Sequence, residues 1–168
     1  MEGETGSAAQ NMDVAEFDDG KVGFVKHYRD DPDGERSDGE NPTLAEREVA
    51  ADQALRNMGF GDYLPALFNN DDEGYSVSEK VEGEHARMSA PAGADAVDED
   101  EFKDFAAATM LIGNSDLHGD NWVVQDDGSF AAIDLNKSGG DFSTGGKFRR
   151  RGRDMVLNVA DTLGIDFD

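Results

Sequence analysis

The stretch "IGNSDLHGDNWVV", Ile112 to Val124, sets Asp116, His118, Asp120 and Asn121 side by side and runs directly into Trp122, Val123 and Val124. Polar groups this dense at the start of an apolar strand suit a site that handles a metal ion or a phosphoryl group. An aspartate followed five residues later by an asparagine is weak evidence alone in a chain with 25 Asp and 9 Asn, and Asp52 with Asn57 makes another such pair. Context separates the two. Asp116 and Asn121 fall on a loop between a helical pattern and the strand "WVVQ", and a second strand, "FAAIDL", follows the turn Asp126 to Ser129. That hairpin has Asn121 at its entry and Asp134 at its exit. Two oxygen donors brought together in this way suit a hard ion such as magnesium, which keeps waters and shares phosphate oxygens.

Two charged residues upstream also lie on apolar faces. Val22, Phe24 and Lys26 alternate onto one side of a strand, so Lys26 points with the apolar set. On the helix expected from Thr43 to Met58, Leu44, Ala51, Leu55 and Met58 share a face with Glu48. A carboxylate on a buried face is costly unless a cation pairs with it. The spacing therefore predicts a Lys26–Glu48 pair. The bland alternative has Lys26 snorkelling at a strand end and Glu48 at the edge of its stripe.

The elements that must position these groups follow from pattern. A hairpin is expected with Val14 and Phe17 before the turn Asp18-Asp19-Gly20 and Val22 to Val25 after it. Thr43 and Glu46 form a capping box for the first helix, and Gly59 ends it. "DYLPALF" and "GYSVSEKV" read as strands around a turn from Asn69 to Gly74. "GEHARMSAPAGADAVDED" reads as a connecting stretch. Asp98 and Glu101 open a second helix with Phe102, Phe105, Ala106 and Met110 in a stripe, and a last helix carries Val156, Val159, Ala160 and Leu163. Between them "NKSGGDFSTGG" is a glycine-rich loop.

Composition narrows the class. With 38 acidic against 15 basic residues the net charge is -23 over 168 residues, which repels nucleic acid and anionic membrane and argues against direct nucleic-acid binding. The same acidity, with lysine scarce, fits the carboxylate surface of a halophilic protein. The absence of cysteine excludes disulfides, thiolate metal sites and cysteine nucleophiles. No run is long and apolar enough for a membrane span, and "MEGETGSAAQ" lacks a signal pattern, so the expectation is a soluble, cytoplasmic protein or a virion-associated one.

Lys26 on a strand, Glu48 on the following helix, Asp116 and Asn121 as D-x-x-x-x-N, and Asp134 closing the next hairpin resemble, in that order, the protein-kinase-like fold. The text "GNSDLHGDNWVV...FAAIDLN" is most similar to its atypical branches, the phosphatidylinositol 3- and 4-kinase-like and HipA-type proteins. The resemblance implies an α+β, minimal two-lobe fold. Residues 1–10 would be a flexible N-terminus, 11–82 an N-terminal lobe with a small antiparallel sheet and one helix, and 83–97 a linker. Residues 98–168 would form a reduced, mainly helical C-terminal lobe with the catalytic hairpin.

The resemblance also implies roles in an ATP-dependent phosphotransferase using ATP and Mg2+. Lys26 would hold the phosphates, positioned by Glu48; Asp116 would orient or deprotonate a hydroxyl acceptor; Asn121 and Asp134 would bind magnesium. Glu79 to Val81 would meet adenine, and the backbone of Ser7, Ala8 and Ala9 would cover phosphates. Departures are plain: there is no G-x-G-x-x-G before Lys26, Asn114 stands where a histidine is usual, and Leu135 and Asn136 follow Asp134. Ser138, Ser143 and Thr144 are candidate autophosphorylation sites.

Two other readings stay open. A shrunken kinase fold can serve as a catalytically degenerate binding or scaffold protein, including in a larger viral assembly. "KFRRRGR" gathers Lys147, Arg149, Arg150, Arg151 and Arg153, a dock for an acidic or phosphorylated partner or else a helix entry that relieves acidic repulsion. "SDLHG" also resembles the first metal box of the metallophosphoesterases, which would demand further ligand histidines. Only His27, His85 and His118 exist.

Overall fold

In the first hairpin, β1 (Met12–Glu16) and β2 (Val22–His27) pair antiparallel with Val14 opposite Phe24. The turn closes through the Phe17 N–H to the Lys21 carbonyl, and Gly20 takes a positive φ of 81° there. This computed structural model describes residues 12–27, 44–70, 75–87, 89–135, 138 and 147–167. Ser7, Ala8, Ala9, Thr43, Ser143 and Thr144 lie outside the described residues, as do the side chains of Lys147, Arg149 and Arg150.

Helix α1 (Leu44–Asn57) buries Glu48, Ala51, Asp52 and Leu55, the face that its apolar spacing marks. Met58, expected on that face, lies past the helix end and is exposed. The chain then departs from expectation. Residues 61–63 form a 3-10 turn rather than a strand, and β3 begins only at Leu67 and runs to Asn70. The reason is local: Gly59 reverses the chain at φ 96°, and Arg56 donates to the carbonyls of Gly61 and Pro65, which removes them from any sheet ladder. Arg56 is itself anchored by both carboxylate oxygens of Asp52, at 2.8 and 3.1 Å. Strand β4 (Tyr75–Glu79) completes a four-stranded antiparallel sheet of order β1-β2-β4-β3.

The stretch after β4 carries a strand that its composition hides. β5 (Glu84–His85) pairs with β6 (Trp122–Val124), and β6 pairs with β7 (Phe130–Ala132), giving a second antiparallel sheet. Gly83 and Gly93 permit this closeness, because a Cβ on them would meet the backbone of Val124 and Gln125. Helix α2 (Glu99–Leu111) is capped by Asp98, whose side chain accepts from the Glu101 N–H at 2.9 Å. Helix α3 (Lys147–Leu163) packs against α2.

The core gathers around the second sheet. Phe102 and Phe105 of α2 contact Trp122 at 5.1 and 5.7 Å between ring centroids, and Tyr63 stacks on Phe130 at 4.8 Å. Val156, Val159, Ala160 and Leu163 close it from α3. No helix among the described residues is long and apolar enough to cross a membrane.

Candidate active site

The register of the first sheet puts Lys26 directly opposite Ser76, on the side of the sheet that α1 faces with Glu48. Lys26 Nζ donates to Glu48 Oε1 at 2.8 Å, and both side chains are buried. Ser76, fully buried, donates to the other Glu48 oxygen at 3.4 Å. A second bond from Lys26 Nζ reaches Asp134 Oδ1 at 3.2 Å, across a sequence separation of 108 residues. One ammonium thus joins the first sheet, α1 and the end of the second hairpin. Burial alone would lower the Lys26 pKa, but the attraction of Glu48 and then of Asp134 outweighs it and raises the group above its ordinary 10.5.

Asp134 ends the hairpin abruptly. The expected strand "FAAIDL" pairs only from Phe130 to Ala132, because Asp134 takes a φ of 60°, a left-handed conformation that no ladder accommodates. Before that break, the Ile133 N–H donates to the Asn121 carbonyl at 2.9 Å. Asn121 and Asp134 are therefore held at neighbouring ends of one hairpin, as its spacing suggests.

The loop before β6 is closed by its own polar groups. Asn121 Nδ2 donates to the Asp116 carbonyl at 2.7 Å, and the Asp116 N–H donates to Asn114 Oδ1 at 2.9 Å. Asn114 is buried, so it serves here as the backbone anchor of the loop. The Asp120 N–H donates to His118 Nδ1 at 3.2 Å, which places the neutral ring's proton on Nε2. That nitrogen lies 3.6 Å from Asp116 Oδ1. His118 is thus a hydrogen-bonding member of the loop. Among the described residues no three His, Asp or Glu side chains are grouped to hold a metal.

The remaining candidates are dispersed. Glu79 ends β4, with its carboxylate 2.7 Å from Lys21 Nζ, and Val81 follows half-buried. Arg151 and Arg153 are exposed on α3 around the buried Gly152, whose backbone abuts the Asn114 carbonyl. Ser138 is buried and not presented at the surface, which removes it as an accessible modification site. Asn114 stands out in the sequence only as a departure from the usual histidine, and Ser76, His85 and Arg87 have no role assigned there. Only Ser76 carried a usable signal, as a small polar residue in a strand next to a buried lysine.

No family model matches the sequence, and no curated protein matches it. Among solved structures the chain is similar to the Rio2 kinase of Chaetomium thermophilum, in a crystal structure of its ADP/Mg2+-phosphoaspartate complex. The TM-score is 0.60 at 14% identity, over 97% of this chain and 56% of that one. The fold is kinase-like. Among the described residues, small antiparallel sheets with three α-helices make a minimal version of it, and the chain spans just over half the length of that kinase.

Proposed function

We propose that the protein is an ATP-dependent phosphotransferase that moves the γ-phosphate of ATP to a hydroxyl. The observation that carries the reading is the double engagement of Lys26, 2.8 Å from Glu48 and 3.2 Å from Asp134. Glu48, itself bonded by Ser76, fixes the ammonium from behind, and Lys26 would turn its remaining donor capacity to the nucleotide phosphates. The N–H groups of Glu79 and Lys80 already donate to Ala66 and Val22, so adenine would be read at the backbone of Val81. Asp116 would accept the proton of the acceptor hydroxyl as that oxygen bonds to the γ-phosphorus and the bond to the ADP oxygen breaks.

The donor chemistry at the hairpin ends suits magnesium. Asn121 spends its amide nitrogen on the Asp116 carbonyl, which leaves its Oδ1 as a donor, and the Asp134 carboxylate is about one-third exposed (36%). A magnesium ion held there would neutralise phosphate charge. The exposed Arg151 and Arg153 flank Gly152, whose backbone abuts the loop that carries Asp116, so an acidic or phosphorylated acceptor is the class that this helix end would favour.

A second reading rests on the same bond. Lys26 neutralised by two carboxylates is already a closed ion triad, which a non-catalytic nucleotide-binding or scaffold protein would also retain. Magnesium-ATP binding and turnover in molar salt separate the two, measured for the wild type, Asp116→Ala and Asp134→Ala. The kinase should lose turnover roughly a hundredfold or more in both variants, and nucleotide binding mainly in Asp134→Ala. Binding without turnover in the wild type selects the scaffold. Absence of nucleotide binding sinks the kinase and favours the scaffold.

A further inference from the structure

We infer that Arg87 and His85, on the segment that carries β5, are positioning residues that set the loop Asp116 to Asn121 from behind by gripping Asp120. The effect on turnover rests on the phosphotransfer reading; the effect on loop geometry does not. Asp120 is engaged through its backbone and, by an ion pair, through its carboxylate. His85 Nδ1 donates to the Asp120 carbonyl at 2.7 Å, Arg87 Nε pairs with the Asp120 carboxylate, and the Asp120 N–H is taken by His118. Because a carbonyl can only accept, His85 carries its proton on Nδ1.

Asp120 sits where such a grip has the most leverage. The next residue, Asn121, returns its own N–H to the His118 carbonyl at 2.9 Å and its side-chain amide to the Asp116 carbonyl. Displacing Asp120 therefore moves the Asn121 oxygen and the backbone of Asp116 together. The backbones are also in direct apposition. A Cβ on Gly119 would lie 1.8 Å from the Ala86 carbonyl oxygen, and one on Gly152 would lie 2.9 Å from the Asn114 carbonyl oxygen. The loop is thus held between the β5 segment on one side and α3 on the other. Thr162 of α3 closes the frame with a long bond, 3.5 Å, to the Arg87 carbonyl.

The ion pair is half exposed, with side-chain exposures of 59% for Arg87 and 48% for Asp120. Such pairs add little to global stability. Their consequence is local, and that makes the inference separable from a merely structural role.

The test compares Arg87→Ala, Arg87→Lys and the control Lys103→Ala, which removes a surface pair with Glu99 on α2. Three quantities are read: amide exchange over residues 116–121, the chemical denaturation midpoint, and kcat and KM for magnesium-ATP. Arg87→Ala should speed exchange in the loop about tenfold with the midpoint unchanged. Its kcat should fall roughly tenfold while KM stays within about twofold, and Arg87→Lys should recover most of the loss. Lys103→Ala should change none of these. Loop exchange as slow in Arg87→Ala as in the wild type overturns the inference. So does a kcat equal to that of an active wild type. If the wild type shows no turnover, the phosphotransfer reading falls while exchange still decides whether Arg87 holds the loop.

Discussion

In the second sheet every residue of β6 and β7 is buried, and Trp122, Val124, Phe130 and Ala132 pack with Phe102, Phe105 and the apolar face of α3. In the first sheet Val14 and Phe68 stand 67% and 59% exposed, and the deeply buried groups at its centre include Lys26 and Ser76, with Glu48 of α1 against them. One sheet is held by apolar packing, the other around a closed set of charges. The proposed phosphotransfer would use both: a rigid hairpin that fixes Asn121 and Asp134, and a polar face on which Lys26 could turn to phosphate. The Lys26–Asp134 bond ties the two together.

The largest effect should come from emptying the apolar side. Trp122 is buried between Phe102 and Phe105 and donates from Nε1 to the Leu117 carbonyl at 3.2 Å. Trp122→Ala should cost about 4–5 kcal/mol in denaturant unfolding, since it leaves a cavity and an unpaired carbonyl. A loss under about 1 kcal/mol would mean that the aromatic cluster is not where stability resides.

The polar side should fail differently. Lys26→Met leaves Glu48 and Asp134 without their cation, at a cost of about 3 kcal/mol, the lower end for a broken buried pair because Asp134 is partly exposed. Lys26→Met combined with Glu48→Leu should regain most of that stability without regaining nucleotide binding. If the double variant is no more stable than the single one, the triad is not acting as a charge-compensated unit. The pH dependence has a definite sign. A folded-state pKa raised above 10.5 means that the Lys26 contribution is complete below that value and is lost as pH rises through the raised value. Wild-type stability should therefore fall more steeply in strong alkali than that of the double variant.

What was legible in the sequence divides along the same line. Lys26 and Glu48 each broke a local apolar period, so their meeting could be read from two short windows; the structure places them 2.8 Å apart. The adjacency of Asn121 and Asp134 followed from one hairpin. The Lys26–Asp134 bond has no local signature, because it depends on how the two sheets face each other. Ser76 needed the strand register. The segment after β4 misled for another reason: its glycines signalled a loop, yet Gly83 and Gly93 are small because backbone passes backbone there. Residues 62–65 misled because the Arg56 bonds that engage the Gly61 and Pro65 carbonyls come from a neighbouring helix end.

The smallest effect should appear at Phe68. It lies on the outer strand β3 opposite Val77, touches Tyr75 only at 6.5 Å between ring centroids, and is 59% exposed. Because little of its ring leaves water on folding, Phe68→Ser should change unfolding free energy by no more than about 0.5 kcal/mol. A loss several times larger would show that this face of the first sheet is covered in solution. The contrast between an apolar sheet and a charge-held one would then soften. A null result, beside a large loss at Trp122, places the stability of the fold in the hairpin that carries Asn121 and Asp134, and leaves the first sheet to hold Lys26.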